Sequence, residues 1–430
     1  MDTNDSDLWK TFRVGWSMPR TQRARSARAL ANDAAIRAAG VAEVLRVGVD
    51  HLSLRDVGHR AGLTHGATYA RYEDVDELLV DLWNSTMLAR AVALYDLCAA
   101  LVREPNAERA ADLRRWVTRA EPADVACFQV LFTARRLPTL HEEVEPFIDE
   151  YLIGRWARPD LDPAVGLRVA ALFTLSLVML AAANRFGSDD DLDAAFYDIL
   201  VEGLSVPPAT VRPVPTLAPP APFSPPPSDD LRTQLAVATF GVVGRSGYTR
   251  ATISRIARRA NCSPGAIYKL FASKEDLAIE AMRTVMRTRI LAPGRSLDIT
   301  REGWFTEMLL DAVAPVNHVR ALFNLEMTIA GAQNERIRAA ILARLTELES
   351  VASILAGLTD EERVVLRRRL RVGTFMISAM GYLSTLGAAP SEAELHAFAE
   401  PMRRALVAGR ERAWRAFDEQ VGELARARGE

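Results

Sequence analysis

Residues 206–228, VPPATVRPVPTLAPPAPFSPPPS, hold ten of the chain's 22 prolines. A proline has no amide hydrogen and a fixed φ, so this segment can join neither a helix interior nor a central strand. It is expected to be an extended, semi-rigid spacer. A ligand for a proline-recognising domain has the same composition, but a linker is the simpler reading. The segment cuts the 430-residue chain into halves of similar length, and each half is long enough to bury a core of its own.

The halves resemble each other. A shift of 199 residues aligns SLRDVGHRAGLTHGATYARYEDVDELL (53–79) with TISRIARRANCSPGAIYKLFASKEDLA (252–278). Identical pairs are Arg60 and Arg259, Ala61 and Ala260, Gly66 and Gly265, Ala67 and Ala266, Tyr69 and Tyr268, and Leu78 and Leu277, with Gly48 and Gly247 just before them. Beyond this region the match fades, and Pro122 and Pro315 line up only if the shift falls by a few residues.

Apolar residues recur at three and four throughout, Ala, Leu and Arg abound, and strand patterns are weak, so the fold class is all-α. About nine helices are expected in each half. They fall near 22–46, 54–60, 64–71, 75–103, 107–119, 122–136, 138–157, 163–185 and 189–204 in the first half. The second series is 230–245, 252–259, 263–270, 274–291, 300–313, 316–332, 334–356, 359–386 and 391–418. The expected organisation is a first three-helix head at 20–74, a helical core at 75–205, the linker at 206–228, a second head at 229–273 and a second core at 274–425.

The repeated segment carries the chemistry. Thr252 can cap a short helix whose inner face is Ile253, Ile256, Ala257 and Ala260. Asn261 falls at the following turn, where the first copy has Gly62, and both residue types tolerate a left-handed backbone. Ser263 then Pro264 is a cap followed by proline at the first helical position. Gly265 and Ala266 keep that second helix slim, Ile267 and Phe271 can face inward, and Tyr268 and Lys269 outward. Ser273 and Asp276 start a third helix with a capping-box pattern. Two short helices joined tightly, the second slim and basic, make a helix-turn-helix.

The run G-(x4)-T-x-x-x-I-A-x-x-A-x-x-S-x-G-x-I-Y-x-x-F-x-S-K-E-x-L, from Gly247 to Leu277, resembles the DNA-binding segment of TetR-family regulators. The resemblance implies a reader helix in the major groove and a variable helical core that takes a small-molecule effector and dimerises. By position it places Thr252, Ser263, Pro264, Gly265, Ala266, Tyr268 and Lys269 at the DNA interface and gives Lys274 the role of phosphate contact. In the first copy the corresponding candidates are Thr64, His65, Gly66, Ala67 and Tyr69, with Arg55, His59, Arg60 and Arg71 as further exposed polar contacts. That copy departs from the pattern: Gly58 replaces the usual alanine, Tyr72 the phenylalanine and Val75 the lysine. The alternative for this copy is a head that keeps its fold but no longer binds DNA.

Charge agrees with the site. Residues 231–274 contain eight Lys or Arg and no acid, and residues 20–75 carry +3, which leaves −13 on the rest of a chain whose total is −2. Such polarisation suits phosphate attraction on one face. Arg20, Arg23, Arg25 and Arg28 could add backbone contacts as a basic arm. Cys98, Cys127 and Cys262 are far apart, as free thiols of a reducing cytoplasm would be. The opening MDTNDSDLWK lacks a secretory pattern. The longest apolar run, Val169 to Ala183, reads as a buried core helix, too short to span a bilayer. HEEVE from His141 is not a zinc motif, and no phosphate loop, nucleophile elbow or kinase signature is present, so neither an enzyme nor a cofactor or metal is expected.

The expected function is a DNA-binding regulator, a repressor released from a double-stranded operator by a small effector. Weak candidates for effector contact are Phe173, Asn184, Asn324, Met327, Phe375 and Tyr382, each more often ordinary core, and Glu326 could also orient a ligand. The other reading is a helical scaffold in which only the second head touches DNA. One chain with two heads allows a monomeric pseudo-dimer as well as a homodimer. The 23-residue linker reaches ~70 Å at ~3.1 Å per residue, and adjacent half-sites lie ~34–36 Å apart. In the pseudo-dimer, helices at 163–204 and 359–418 would pack as four helices.

Overall fold

The computed structural model describes residues 27–154, 156, 162–186, 190–212, 230–290, 299–343 and 359–408. Every regular element among them is helical. In the first half these are α1 (Ala27–Val47), α2 (Leu54–Arg60), α3 (His65–Tyr69), α4 (Val75–Arg103), α5 (Ala107–Thr118), α6 (Pro122–Thr133), α7 (Pro138–Phe147), α8 (Pro163–Phe186) and α9 (Asp190–Leu204). In the second they are α10 (Leu231–Ser246), α11 (Ile253–Arg259), α12 (Pro264–Leu270), α13 (Lys274–Ile290), α14 (Trp304–Val313), α15 (His318–Ala330), α16 (335–343 within the described residues), α17 (Asp360–Thr385) and α18 (Glu392–Val407).

Local chemistry sets many of these boundaries. Asp74 accepts from the Glu77 amide and Asn106 from the Arg109 amide, both at 2.9 Å. Thr359 with Glu362 and Ser391 with Glu394 form full capping boxes. Prolines open α6, α7, α8 and α12 at a position that needs no amide donor. α4 keeps its expected range 75–103 while passing through a π-helical turn at Trp83–Met87, and α7 departs from its expected range by giving way at Phe147 to a π-helical turn at Ile148–Ile153, just after Pro146.

The 199-residue correspondence holds in the backbone. α1 and α10 end at 47 and 246, α2 and α11 span 54–60 and 253–259, and α3 and α12 begin at 65 and 264. Gly48 and Gly247 have φ of 82° and 84°, and Gly62 and Asn261 have φ of 68° and 52°. We call α1–α3 the first head and α10–α12 the second.

The heads are set into the molecule differently. Ile36, Val44 and Val57 of the first head belong, with Leu78 of α4, to one continuous core that also takes in Phe173, Leu325, Met376 and Leu406. The second head has a small core of its own, Leu235, Ile256, Ala257, Ile267, Phe271 and Leu277. A further cluster around Val243, Met282, Phe323 and Met327 joins it to α13, α15 and α16. Glycine at 244 permits that joint, because a Cβ there would meet the Val319 carbonyl at 2.6 Å.

The two halves meet through α8, α9, α17 and α18, with α17 lying on α8 and α18 on α9. Gly203 of α9 lets the α18 backbone approach, since a Cβ would lie 3.3 Å from Met402 Cα. Arg168, buried in α8, donates to the carbonyls of Val206 (2.7 Å) and, across the interface, Ala397 (2.9 Å). Loss of water lowers its pKa to about 10, still charged at neutral pH.

Two expectations are revised. The segment 206–228 is not extended throughout. Pro208–Thr210 form a 3-10 turn, and the Arg212 carbonyl accepts from His396 Nε2 at 3.0 Å, fastening the start of the segment to α18; residues 213–228 lie outside the described residues. Second, the apolar run at 169–183 belongs to the 24-residue helix α8, found where it was expected, and length alone does not exclude it as a span. By length and composition both Val75–Arg103 and Pro163–Ala181 could cross a membrane, but 89% of the second span is buried inside the fold, as in a core helix.

Candidate nucleic-acid interface

The second head builds its outer face from its inner one. Ile256, Ala257, Ile267 and Phe271 are buried, which turns Tyr268, Lys269 and Leu270 of α12 outward. Tyr268 is 61% exposed. Thr252 Oγ1 accepts from the Arg255 amide and Ser263 Oγ from the Ala266 amide, each at 3.3 Å, and Pro264 is the first residue of α12. These are the caps the sequence implies. A Cβ on Gly265 would meet nothing nearer than Ser263 Oγ at 3.9 Å. Glycine costs a helix about 0.5–1 kcal/mol relative to alanine, and here it relieves no internal contact. What it provides is backbone open to an external surface.

Lys274, expected from its position to contact phosphate, makes contacts within the protein. Its ammonium is half-buried, donates to the Thr249 carbonyl at 3.3 Å and lies 4.2 Å from the Tyr248 ring centre. Burial lowers its pKa, against the opposing pull of Glu275 and Asp50. Ser273 and Asp276 cap α13 as expected, and Asp276 also takes Arg336.

The first head has the same geometry and other chemistry. Thr64 Oγ1 accepts from the Ala67 amide at 3.3 Å. His65 stands 4.3 Å from the Tyr69 ring, and Tyr69 is 46% exposed. Gly66 is open, with nothing near a Cβ. Gly58 replaces alanine because Thr68 stands where the second head has Ile267, and a Cβ at Gly58 would overlap Thr68 Oγ1. Tyr72 is buried like Phe271, and its hydroxyl donates to Asp81.

Charge separates the heads most sharply. In the first, Arg46 and Arg60 share the buried Glu43, Arg71 pairs with Asp33 at 3.0 Å and Arg37 with Asp81 at 3.3 Å. Arg71 is therefore not the free contact its sequence position suggested; Arg55, His59 and His65 remain exposed. In the second head the position of Glu43 is Val242, so no acid stands between Arg245 and Arg259. Both reach the same glycine, at 2.8 and 3.0 Å from a Cβ built on Gly241. Partial burial, then the neighbouring Arg259, lowers the pKa of Arg245. Arg245, Arg255, Arg258, Arg259 and Lys269 face no carboxylate among the described residues. Arg245, Arg258 and Arg259 were not singled out from the sequence, although the acid-free window 231–274 contained the signal.

The effector candidates do not all converge: among the described residues, only Tyr382 and Asn324 are hydrogen-bonded to each other. Phe173 packs on Tyr95 and Phe147 in the main core, Met327 lies in the joint beneath the second head, and Phe375 packs against the main core. Tyr382 donates to the Asn324 carbonyl at 3.2 Å and meets Thr328 Oγ1 at 2.7 Å. The Asn184 side chain lies outside the described residues, as do Arg20, Arg23 and Arg25. Glu326 is no ligand-orienting group: Arg135, Arg136 and the Tyr248 amide occupy it.

No curated protein matches the chain. Residues 236–281 match the family model described as TetR_N, bacterial regulatory proteins of the tetR family. The match starts within α10 and ends within α13, enclosing the helix-turn-helix just described. The second half of this chain thus carries a helix-turn-helix segment similar to the N-terminal segment of bacterial regulatory proteins of the tetR family.

Proposed function

We propose that the chain is a transcriptional repressor that holds duplex DNA chiefly through its second head, with the first head as a weaker or silent counterpart. The observation that carries this reading is the neutralisation of Arg46, Arg60 and Arg71 in the first head against the acid-free cluster of the second. Phosphate attraction scales with uncompensated cations. Thr252, Ser263, Gly265, Ala266, Tyr268 and Lys269 meet the groove and its backbone, joined by Arg245, Arg255, Arg258 and Arg259 at the phosphates. Thr64, Gly66, Ala67, Tyr69 and Arg55 are the first head's remaining contacts.

The packing of α8 and α9 on α17 and α18 supports a monomeric pseudo-dimer of two tandem units, with an effector acting through the helical cores. A solution mass near 47.3 kDa is then expected; a mass near twice that favours a homodimer with four heads.

The test is selection of bound fragments from random DNA with the full chain. An asymmetric site is expected, because His65 and Ala70 stand where the second reader helix has Pro264 and Lys269. A perfect inverted repeat as the best site indicates two chains each using its second head. Failure to enrich any sequence, with no salt-dependent binding, refutes the reading.

A further inference from the structure

The glycine turn that ends the first helix of each head is touched by a side chain from the other half. A Cβ at Gly48 would meet Gln333 Oε1 at 3.2 Å, and a Cβ at Gly247 would overlap the Arg136 guanidinium. Arg136 directly follows α6 in the first half, and Gln333 follows α15 in the second. The two are thus near-counterparts, crossing in opposite directions.

Each crossing residue is anchored at both ends. Gln333 Nε2 donates to Gln129 Oε1 at 3.1 Å and to the Val44 carbonyl, at the end of α1, at 3.4 Å. Arg136 Nη2 donates to Asp50 Oδ2 at 3.0 Å, in the turn after Gly48. Arg136 Nε lies 3.5 Å from Glu326 Oε1, which also takes Arg135. Glu326 Oε2 accepts the Tyr248 amide at 3.1 Å, in the turn after Gly247. A continuous polar chain, Asp50–Arg136–Glu326–Tyr248, therefore runs from one head's turn to the other's. Arg136 and Glu326 are both buried, and their contact is an ion pair, which burial leaves poorly screened. The second head's core is separate from the main one, and its apolar joint to the rest of the molecule runs through α13, α15 and α16 of its own half.

We propose that Arg136, Glu326 and Gln333 form a cross-brace that fixes the separation and tilt of the two heads. They are positioning residues: they do not touch DNA, yet they set the half-site spacing the chain accepts. The inference rests on the DNA-binding reading for its consequence, but the brace itself is a property of the protein alone.

Two measurements separate the two. Cys262 and an introduced His59→Cys, both at head surfaces, take spin labels for a dipolar distance measurement, while buried Cys98 and Cys127 stay unlabelled. A single narrow distance is expected in the labelled parent. It should broaden in Gln333→Ala, which leaves no buried charge behind, and broaden more in Arg136→Gln combined with Glu326→Gln, which removes both charges while keeping an amide oxygen for Arg135 and Tyr248. Helical content and melting temperature confirm that the variants fold. An unchanged width in both variants overturns the brace.

The second measurement titrates the same proteins against DNA whose half-sites are separated in single-base-pair steps through half a turn, about 5 base pairs. The parent should lose at least about tenfold in affinity at the wrong spacing, because rigidly linked sites forfeit avidity when geometry forbids joint contact. The variants should lose less than about threefold, with the half-site carrying the second head's sequence still bound. Equal spacing preference in parent and variants counts against the brace. Absence of DNA binding by the parent refutes the regulator reading and leaves the distance measurement to judge the brace.

Discussion

Introducing the first head's acid into the second head should silence it. Glu43 receives Arg46 Nε at 3.0 Å and Arg60 from the other side; its counterpart is the half-buried Val242, flanked by Arg245 and Arg259. In Val242→Glu the new carboxylate has two guanidiniums within reach, so the fold should persist. Those guanidiniums are then drawn away from phosphate. Each lost phosphate contact reduces the slope of log affinity against log salt by about 0.9, so two reduce it by about 1.8. At about 1 kcal/mol per charge-assisted contact after screening, the affinity should fall roughly thirtyfold. The assay is DNA binding across a salt series, with Val242→Gln as a control of similar size and no charge. The reverse change, Glu43→Val, should steepen the slope by releasing Arg46 and Arg60. If Val242→Glu leaves the slope unchanged, or Val242→Gln weakens binding equally, charge compensation is not what distinguishes the heads.

Tyr268→Ala and Lys269→Ala should each weaken binding to all sequences by about 1 kcal/mol, measured by fluorescence anisotropy; an equal loss from Tyr69→Ala would reverse the ranking of the heads. Burial pushes the Cys98 and Cys127 thiols up to about 12, so a thiol reagent should modify the half-exposed Cys262 in the native protein and reach the other two only after unfolding; rapid reaction at all three would contradict the packing. The Arg46 hydrogen bond, followed by Arg60, outweighs burial and holds the Glu43 carboxyl below the ordinary range. Its stabilisation is therefore complete above the unfolded carboxylate's pKa, about 4.3, and disappears as pH falls through the lower folded value. Melting temperatures should show Glu43→Gln with a weaker acid dependence than the parent; parallel pH profiles would remove Glu43 from that account.

Much of the helix pattern was legible because local chemistry specifies it. Thr252 and Ser263 cap, Pro264 starts α12, Asn261 takes a positive φ, and the apolar periodicity of Ile256, Ala257 and Ile267 forces Tyr268 and Lys269 outward. What the sequence concealed is pairing across distance. Arg71 and Arg60 read as available cations until Asp33 and Glu43, 38 and 17 positions away, fold against them. Lys274 fits the motif by position, but its ammonium turns to Tyr248 and Thr249, a choice made by the loop after α10. Glu326 sits on an apolar helix like any pocket residue, and its partners Arg135 and Arg136 come from the other half of the chain. Gly58 looked like decay of the motif; beside Thr68 it is the residue that fits.

These compensations share a direction. The first head shares the main core, meets its cations with its own acids and contributes Asp50 to the polar chain that reaches the second. The second keeps a separate core, leaves five cations facing no carboxylate among the described residues and is joined through α13, α15 and α16. Uncompensated like charge destabilises a small domain, and a small separate core offers little to offset it. Arg136 of the first half reaches the turn that ends α10, and Gln333 of the second half reaches the turn that ends α1, so on the proposed brace each half steadies the other's head at that turn. In a homodimer every change to one head is copied in the other, so a head cannot become a pure support without the loss of its DNA-reading partner. Two heads on one chain carry no such constraint. On the proposed reading, the acid at Glu43 and its absence at Val242 are what that freedom predicts: one head specialised to hold position, the other to hold phosphate.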